Sequence, residues 1–218
     1  MRHLLVVAAT LVLMVPSASA ATRATTELDG ATVVFNNMTA SHQIPADVLA
    51  NAECIAIFPA VPKAGVIVGG KHGGGVVSCR GNDGWSAPAF MTITGASVGL
   101  QLGLERQDIV LLMNKQGEQQ LSAGHWVVGA EAIAAGPNKQ STGGLESQNW
   151  KTPVLVYTST SGEYVGANLA GSNISMDDAT MRDVYGPNAT LQNILDGHVP
   201  PPGSAHPFLT ALNQASGK

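Results

Sequence analysis

The sequence predicts an α+β domain built on a mainly antiparallel sheet that can close toward a barrel, with short helices at the N- and C-terminal ends. Three observations carry that expectation. Apolar segments of strand length follow one another at hairpin distances from Cys54 to Leu169. Helix-like periodicity is confined to the two ends of the chain. Between Gly65 and Gly103 lie 11 of the 25 glycines, interleaved with short runs of Val, Ile, Leu and Thr. Glycine removes side-chain bulk and allows tight turning, so this block reads as closely packed β-ribbon.

The elements follow in order. Leu28, Ala31, Phe35 and Met38 recur at helical spacing, which predicts a helix over Thr25–Met38, with Thr26 and Asp29 resembling a capping box. Pro45 suits a first helical position and Asp47 a first turn, giving a second helix to Ala52. Cys54–Phe58 reads as a buried strand closed by Pro59, with a turn through Pro62. Ala64–Gly70 and Gly75–Cys79 read as a hairpin around Lys71-His72-Gly73-Gly74, and Gly81-Asn82-Asp83-Gly84 as the next turn. Trp85–Leu104 alternates with period two, with a bend expected near Gly95–Gly99.

Asp108–Met113 is a continuous apolar strand, Asn114–Gly117 a turn, and Gln119–Ala123 a short helix. His125–Ala135 reads as a strand pair and Gly136–Pro153 as a polar loop. Val154–Ser159 and Glu163–Leu169 form a hairpin around Ser161-Gly162. Helices are expected over Asp177–Tyr185, with Asp177 and Asp178 at the N-terminus, over Thr190–Leu195 and over Pro207–Ala215. Val199-Pro200-Pro201-Pro202-Gly203 is a stiff connector.

Residues 1–20 have the layout of a secretory signal peptide: basic Arg2 and His3, an apolar run from Leu4 to Val15, and Ala18-Ser19-Ala20 as a small-residue cleavage site. The expectation is an exported protein, periplasmic or secreted. It would be one domain over residues 21–218, with a short Pro-rich tail from about Val199. Without the signal segment the chain carries 10 basic and 15 acidic side chains, a net charge of −5. That balance argues against a nucleic-acid partner. The charge is uneven: Cys54–Leu104 holds Lys63, Lys71 and Arg80 against Asp83 alone. A basic face on an acidic protein is compatible with approach to anionic head groups. Export also favours a disulfide between Cys54 and Cys79, closing a loop of about 25 residues. The alternative is two buried thiols.

Catalytic patterns fail one by one. Gly65-Val66-Ile67-Val68-Gly69-Gly70-Lys71-His72 approaches a phosphate loop, but His72 stands where Ser or Thr should hold magnesium, and the intervening residues read as strand. The six histidines show no metal-ligand spacing, and Gly-x-Ser-x-Gly is absent. The expectation is therefore a non-enzymatic protein without metal or cofactor.

A set of motifs in order now stands out. They are Phe58-Pro59, Lys63-Ala64-Gly65, Gly69-Gly70, Gly75-Val76, Gly84-Trp85-Ser86-Ala87-Pro88-Ala89, Gly95-Ala96-Ser97-Val98-Gly99-Leu100-Gln101 and Asp108-Ile109-Val110-Leu111-Leu112. Gly136-Pro137, Tyr157, Gly166, Asn168-Leu169, Gly171-Ser172, Asp178 and Tyr185-Gly186 continue the series. Together they resemble the SYLF domain of the Ysc84-like family, in its exported bacterial form, over about Leu28–Gly186. The resemblance implies a non-enzymatic domain that binds anionic membrane lipids by peripheral contact. Lys63, Lys71, Arg80 and Arg106 are the candidate head-group contacts. Actin, a partner of eukaryotic members, would not be met in an exported compartment. The alternative is a structural or adhesion module of the bacterial envelope, acting through protein contacts on the Gly136–Pro153 loop or the sheet face.

Overall fold

A computed structural model describes residues 20–65, 68–82, 84–98, 104–123, 125–128, 133–134, 152–160, 169 and 171–216. The segment expected to be a signal peptide, through residue 19, most of the polar loop (136–151) and the strand predicted from Glu163 lie outside the described residues, except for Leu169.

Six helices and nine strands are seen among these residues: α1 (Ala20–Ala40), α2 (Ala46–Ala50), β1 (Cys54–Gly65), β2 (Val68–Gly81), β3 (Gly84–Trp85), β4 (Ala89–Val98), β5 (Leu104–Met113), α3 (Lys115–Leu121), β6 (His125–Val127), β7 (Ile133–Ala134), β8 (Val154–Thr160), β9 (Asn173–Met176), α4 (Asp178–Tyr185), α5 (Leu191–Leu195) and α6 (His206–Ala215). The strands form one sheet in the order β6-β9-β4-β2-β1-β5-β8-β7, with β3 paired to β2. Every pairing is antiparallel except β7 with β8. The α+β class and the barrel-like sheet are therefore as expected, the sheet being an antiparallel half-barrel.

The glycine block differs from its sequence reading. Lys71 to Gly75 do not turn the chain: β2 runs through them, pairing with β1 on one side and β4 on the other. Glycine composition alone does not separate a turn from a close approach, and here the approach is what requires glycine. A Cβ on Gly75 would strike the Ile57 carbonyl and lie 2.9 Å from Phe58 Cα. On Gly73 it would lie 2.9 Å from Val61 Cγ2, and on Gly95 3.2 Å from Ser172 Cα. All three residues face the same side of the sheet, where neighbouring strands lean over them. The absent side chains allow that close approach on this side of the sheet.

Pro59-Ala60-Val61-Pro62 is not a turn either. β1 continues through it as a bulge: Phe58 opposes Ile109 and Val61 opposes Gln107, so Pro59 and Ala60 together face Asp108. Ala60 takes a positive φ of 49°, and its N–H donates to Asp108 Oδ1 at 2.8 Å. The displaced Pro59 packs against Gly30 of α1, whose Cβ would lie 3.0 Å from the proline ring.

The other side of the sheet, that of Gly74, carries helix α1. Leu28, Ala31, Phe35 and Met38 form its buried face, as their spacing predicts. The helix starts earlier than expected, at Ala20. Thr26 is therefore interior, and its hydroxyl donates to the Thr22 carbonyl instead of capping. Asp177 caps α4 as predicted, accepting from the Thr180 N–H at 3.1 Å. Asn114 caps α3 rather than opening a turn, accepting from Gln116 and Gly117 N–H. Tyr185 O–H donates to the Pro88 carbonyl at 2.6 Å, and burial raises its pKa. The C-terminal residues are packed rather than loose: Phe208 and Leu212 of α6 are fully buried. Strand β9 was not anticipated; its four residues are too short to show periodicity.

Cys54 and Cys79 oppose each other across β1 and β2 and are joined by a disulfide. Both are buried.

One ionic group sits under α1. Glu27 is 8% exposed, and its carboxylate fills the space that a Gly74 side chain would occupy. Arg23 donates to Glu27 Oε1 at 3.0 Å and reaches Asp177 Oδ2 at 3.1 Å. Burial raises the Glu27 pKa and the Asp177 charge adds to the rise, whereas Arg23 lowers it. Arg23 is half exposed, so water screens its pull and burial dominates. The sign of the linkage follows: a carboxyl with a raised folded pKa favours the fold while protonated, and that contribution is lost as pH rises through the raised value. Glu27→Gln should therefore gain stability relative to the parent chain between pH 4 and pH 7. Urea midpoints across that range check it; a constant or shrinking difference would contradict it.

Candidate functional site

The four predicted cations do not form one surface. Lys63 stands opposite Lys71 in β2 and opposite Glu105 in β5, and Arg106 stands opposite Pro62. These three positions share one end of the sheet. Arg80 lies nine positions from Lys71 along β2, about 30 Å at strand rise, at the other end.

Arg80 belongs to the fold. Its Nε donates to the Ala52 carbonyl at 3.1 Å and its Nη2 to the Leu49 carbonyl at 3.2 Å, closing the C-terminal end of α2. The guanidinium also sits 4.7 Å from the centre of the Trp85 ring. Burial lowers its pKa, and Glu53 opposes that shift. Trp85 in turn donates from Nε1 to Ser216 Oγ at 3.2 Å, fastening the chain's end to β3. Arg80→Ala should cost about 2–3 kcal/mol, the scale of charge-assisted hydrogen bonds plus a cation–π contact. Thermal unfolding measures this, and an unchanged melting temperature would return Arg80 to the surface.

Lys71 is also turned inward, at 4% exposure. Its stem crosses β4 where Gly95 has no side chain: Lys71 Cε and Ser172 Oγ lie 2.9 and 3.0 Å from the same point, the position of a Gly95 Cβ. It cannot reach a membrane head group from this position. Arg106 is exposed. Sequence position alone does not show that Lys71 and Arg80 turn into the fold.

The side of the sheet that Gly73 faces holds polar residues that the sequence reading passed over. Gln107 is 1% exposed, Ser172 1% and Trp126 5%. Gln107 Oε1 and Nε2, Ser172 Oγ and Trp126 Nε1 have no hydrogen-bond partner in the structure. A signal was present: in Glu105–Met113, Gln107 shares its period-two face with Ile109, Leu111 and Met113, a polar residue at a core position.

Among the described residues, no three His, Cys, Asp or Glu side chains stand close enough to hold a metal ion. No described helix is long and apolar enough to cross a membrane. Together these features define an α+β half-barrel domain in which Arg80 is tied to the backbone after α2 and Lys71 is buried.

Comparison with known proteins places that domain. Residues 94–215 match the family Ysc84, described as Las17-binding protein actin regulator. An SH3 domain-containing protein of Schizosaccharomyces pombe is 34% identical over 180 residues, covering 80% of this chain and 42% of its own length. LAS seventeen-binding protein 3 of Saccharomyces cerevisiae is 33% identical over 189 residues, covering 79% and 39%. SH3 domain-containing YSC84-like protein 1 of Rattus norvegicus is 32% identical over 179 residues, covering 80% and 52%. The chain belongs to the Ysc84 (SYLF) family. It spans about half the length, or less, of these curated relatives.

Proposed function

We infer that the chain is an exported, non-enzymatic lipid-binding domain that meets an anionic membrane surface peripherally. The observation that supports this is exposed Arg106 at one end of the half-barrel, with Lys63 one register step away on the neighbouring strand and on the alternate face of the pleat. Cations grouped within a Debye length act on an anionic surface together. Arg80 and Lys71 are not part of that contact. Vesicle flotation at low salt tests the reading. The full chain should float with phosphatidylserine-containing vesicles and not with phosphatidylcholine alone. A Lys63→Glu/Arg106→Glu variant should lose binding by about a hundredfold to a thousandfold, at roughly 1 kcal/mol per charge removed and the same again for its reversal, while Arg80→Ala should retain it. Failure of the parent chain to bind either vesicle would sink the reading.

A second reading has its own support, since the family description and the yeast relative name Las17 binding. Here the domain would be a protein-contact module, either of an actin-regulating assembly or of a cell envelope. Capture of a partner by the full chain in detergent, independent of lipid, would favour it over the first.

A further inference from the structure

The inward stripe of α1 consists of Ala24, Leu28, Ala31, Phe35 and Met38, each no more than 3% exposed. Glu27 lies in that stripe beside Leu28, a carboxyl at a core position. Its side chain occupies the gap left by Gly74 in the middle of β2, so the carboxylate rests on the sheet itself. Oε1 accepts from Arg23 Nε at 3.0 Å, whereas Oε2 has no hydrogen-bond partner among the described residues. Arg23 is half exposed and divided between two acids, since its Nη2 lies 3.1 Å from Asp177 Oδ2.

The other titratable groups on the neighbouring elements are solvated. β2 offers His72 on the same side of the sheet, two positions from Gly74 and exposed. β1 presents Ile55, Ile57 and Pro59 on that side. α4 carries Asp178, Arg182 and Asp183, all exposed, and α6 carries His206, also exposed. The Glu27 carboxyl therefore answers to burial, to Arg23 and to Asp177.

Two carboxylates thus share one half-solvated cation. Asp177 is compensated a second time, because it caps α4 where the helix dipole favours an anion. Glu27 has no such compensation. As the free acid it is tolerated in the interior; as the anion it needs a second partner that the fold does not supply. Oε2 reaches water if the first turns of α1 come away from β2. Beyond them, Gly30 against Pro59 and the buried Phe35 and Met38 anchor the rest of the helix.

We propose that Glu27 is a pH-operated latch: the first turns of α1, residues 20–28, are seated on β2 while it is protonated and open locally when it ionises. Seating raises the Glu27 carboxyl above the ordinary range, chiefly by burial, and opening returns it to that range. Seating is therefore complete below the ordinary value and is lost as the pH rises through the raised one. Between the two, the opening constant grows by up to about tenfold per pH unit. Opening bares Ala24, Leu28 and the floor at Gly74, and draws Arg23 away from Asp177. The latch rests on neither functional reading above.

The test is hydrogen exchange of the full chain from about pH 5 to about pH 8, each rate divided by that of the unstructured peptide at the same pH. Protection of the amides of residues 24–30 should fall as the pH rises, by up to about tenfold per unit, while that of Ile109 to Leu112 in β5 holds. Glu27→Gln should keep residues 24–30 protected throughout. Arg23→Gln should deepen the fall, because the seated anion loses its cation. Asp177→Asn, which preserves a cap, should make the fall shallower. Three results would overturn the latch. One is protection in α1 that does not change with pH. Another is a fall that persists in Glu27→Gln, which would assign it to His72 or another group. The last is a fall shared equally by β5, which would mark global unfolding.

Discussion

Gly75→Ala is expected to destabilise the fold by about 3 kcal/mol, the upper part of the usual range for overpacking a filled interior. For a domain of this size that lowers the melting temperature by about 6–12 °C. The ordinary effect of the substitution has the opposite sign, since alanine loses less backbone entropy than glycine on folding, by about 0.5–1 kcal/mol. Geometry decides between them. The new Cβ would strike the Ile57 carbonyl and the Phe58 ring, and the carbonyl is backbone tied into the β1 ladder, so it has no rotamer to escape into. Gly70 is the control. It lies in the same strand, and an added Cβ there meets nothing within 4 Å. Gly70→Ala should be neutral or slightly stabilising. If both variants melt together, close approach is not the reason for glycine in β2.

Removing the disulfide is the other large effect. On the chain-entropy model, a bridge across a separation of 25 residues restricts the unfolded chain by about 3–4 kcal/mol. The Cys54→Ala/Cys79→Ala variant should therefore unfold at a clearly lower urea concentration. Its dependence on urea should steepen, because the uncrosslinked chain exposes more surface when unfolded. Both sulfurs are buried, so reductant acts by way of opened molecules rather than on the native surface. An unchanged midpoint in the double variant would mean that the bridge contributes nothing.

Helices and apolar strands were legible where one physical signal dominates. The faces of α1 and α4 follow the 3.6-residue period, Asp177 caps as its side-chain chemistry requires, and β5 is a plain apolar run. The glycine and proline segments were misread because those residues have two uses each. Gly73-Gly74-Gly75 could have turned the chain or admitted neighbours, and Pro59 could have ended β1 or stood in a bulge. Only long-range partners decide, namely Val61, Glu27 and Phe58 for the glycines and Gly30 and Asp108 for the bulge. The candidate site suffered for the same reason. Lys71 was expected at a hairpin tip, where a cation is solvated, and it lies instead in mid-strand and buried. Arg80 was counted as a free surface charge because its acceptors, the carbonyls of Ala52 just after α2 and of Leu49 within it, are 28 and 31 residues away in sequence.

The bulge at Ala60 has a consequence for how this chain can vary in length. In a pleated strand the loss of one residue normally inverts everything beyond it, exchanging the buried and exposed faces. β1 carries one surplus residue: Phe58 and Val61 stand on the same side, although an odd number of positions separates them. Deleting Ala60 would restore simple alternation, leaving Val61 over Gly73 and Lys63 opposite Lys71. What would be forfeited is the Asp108 bond and the outward step that brings Pro59 against α1. Homologues one residue shorter at this point are therefore compatible with the same interior, and they should differ in how the first helix is seated.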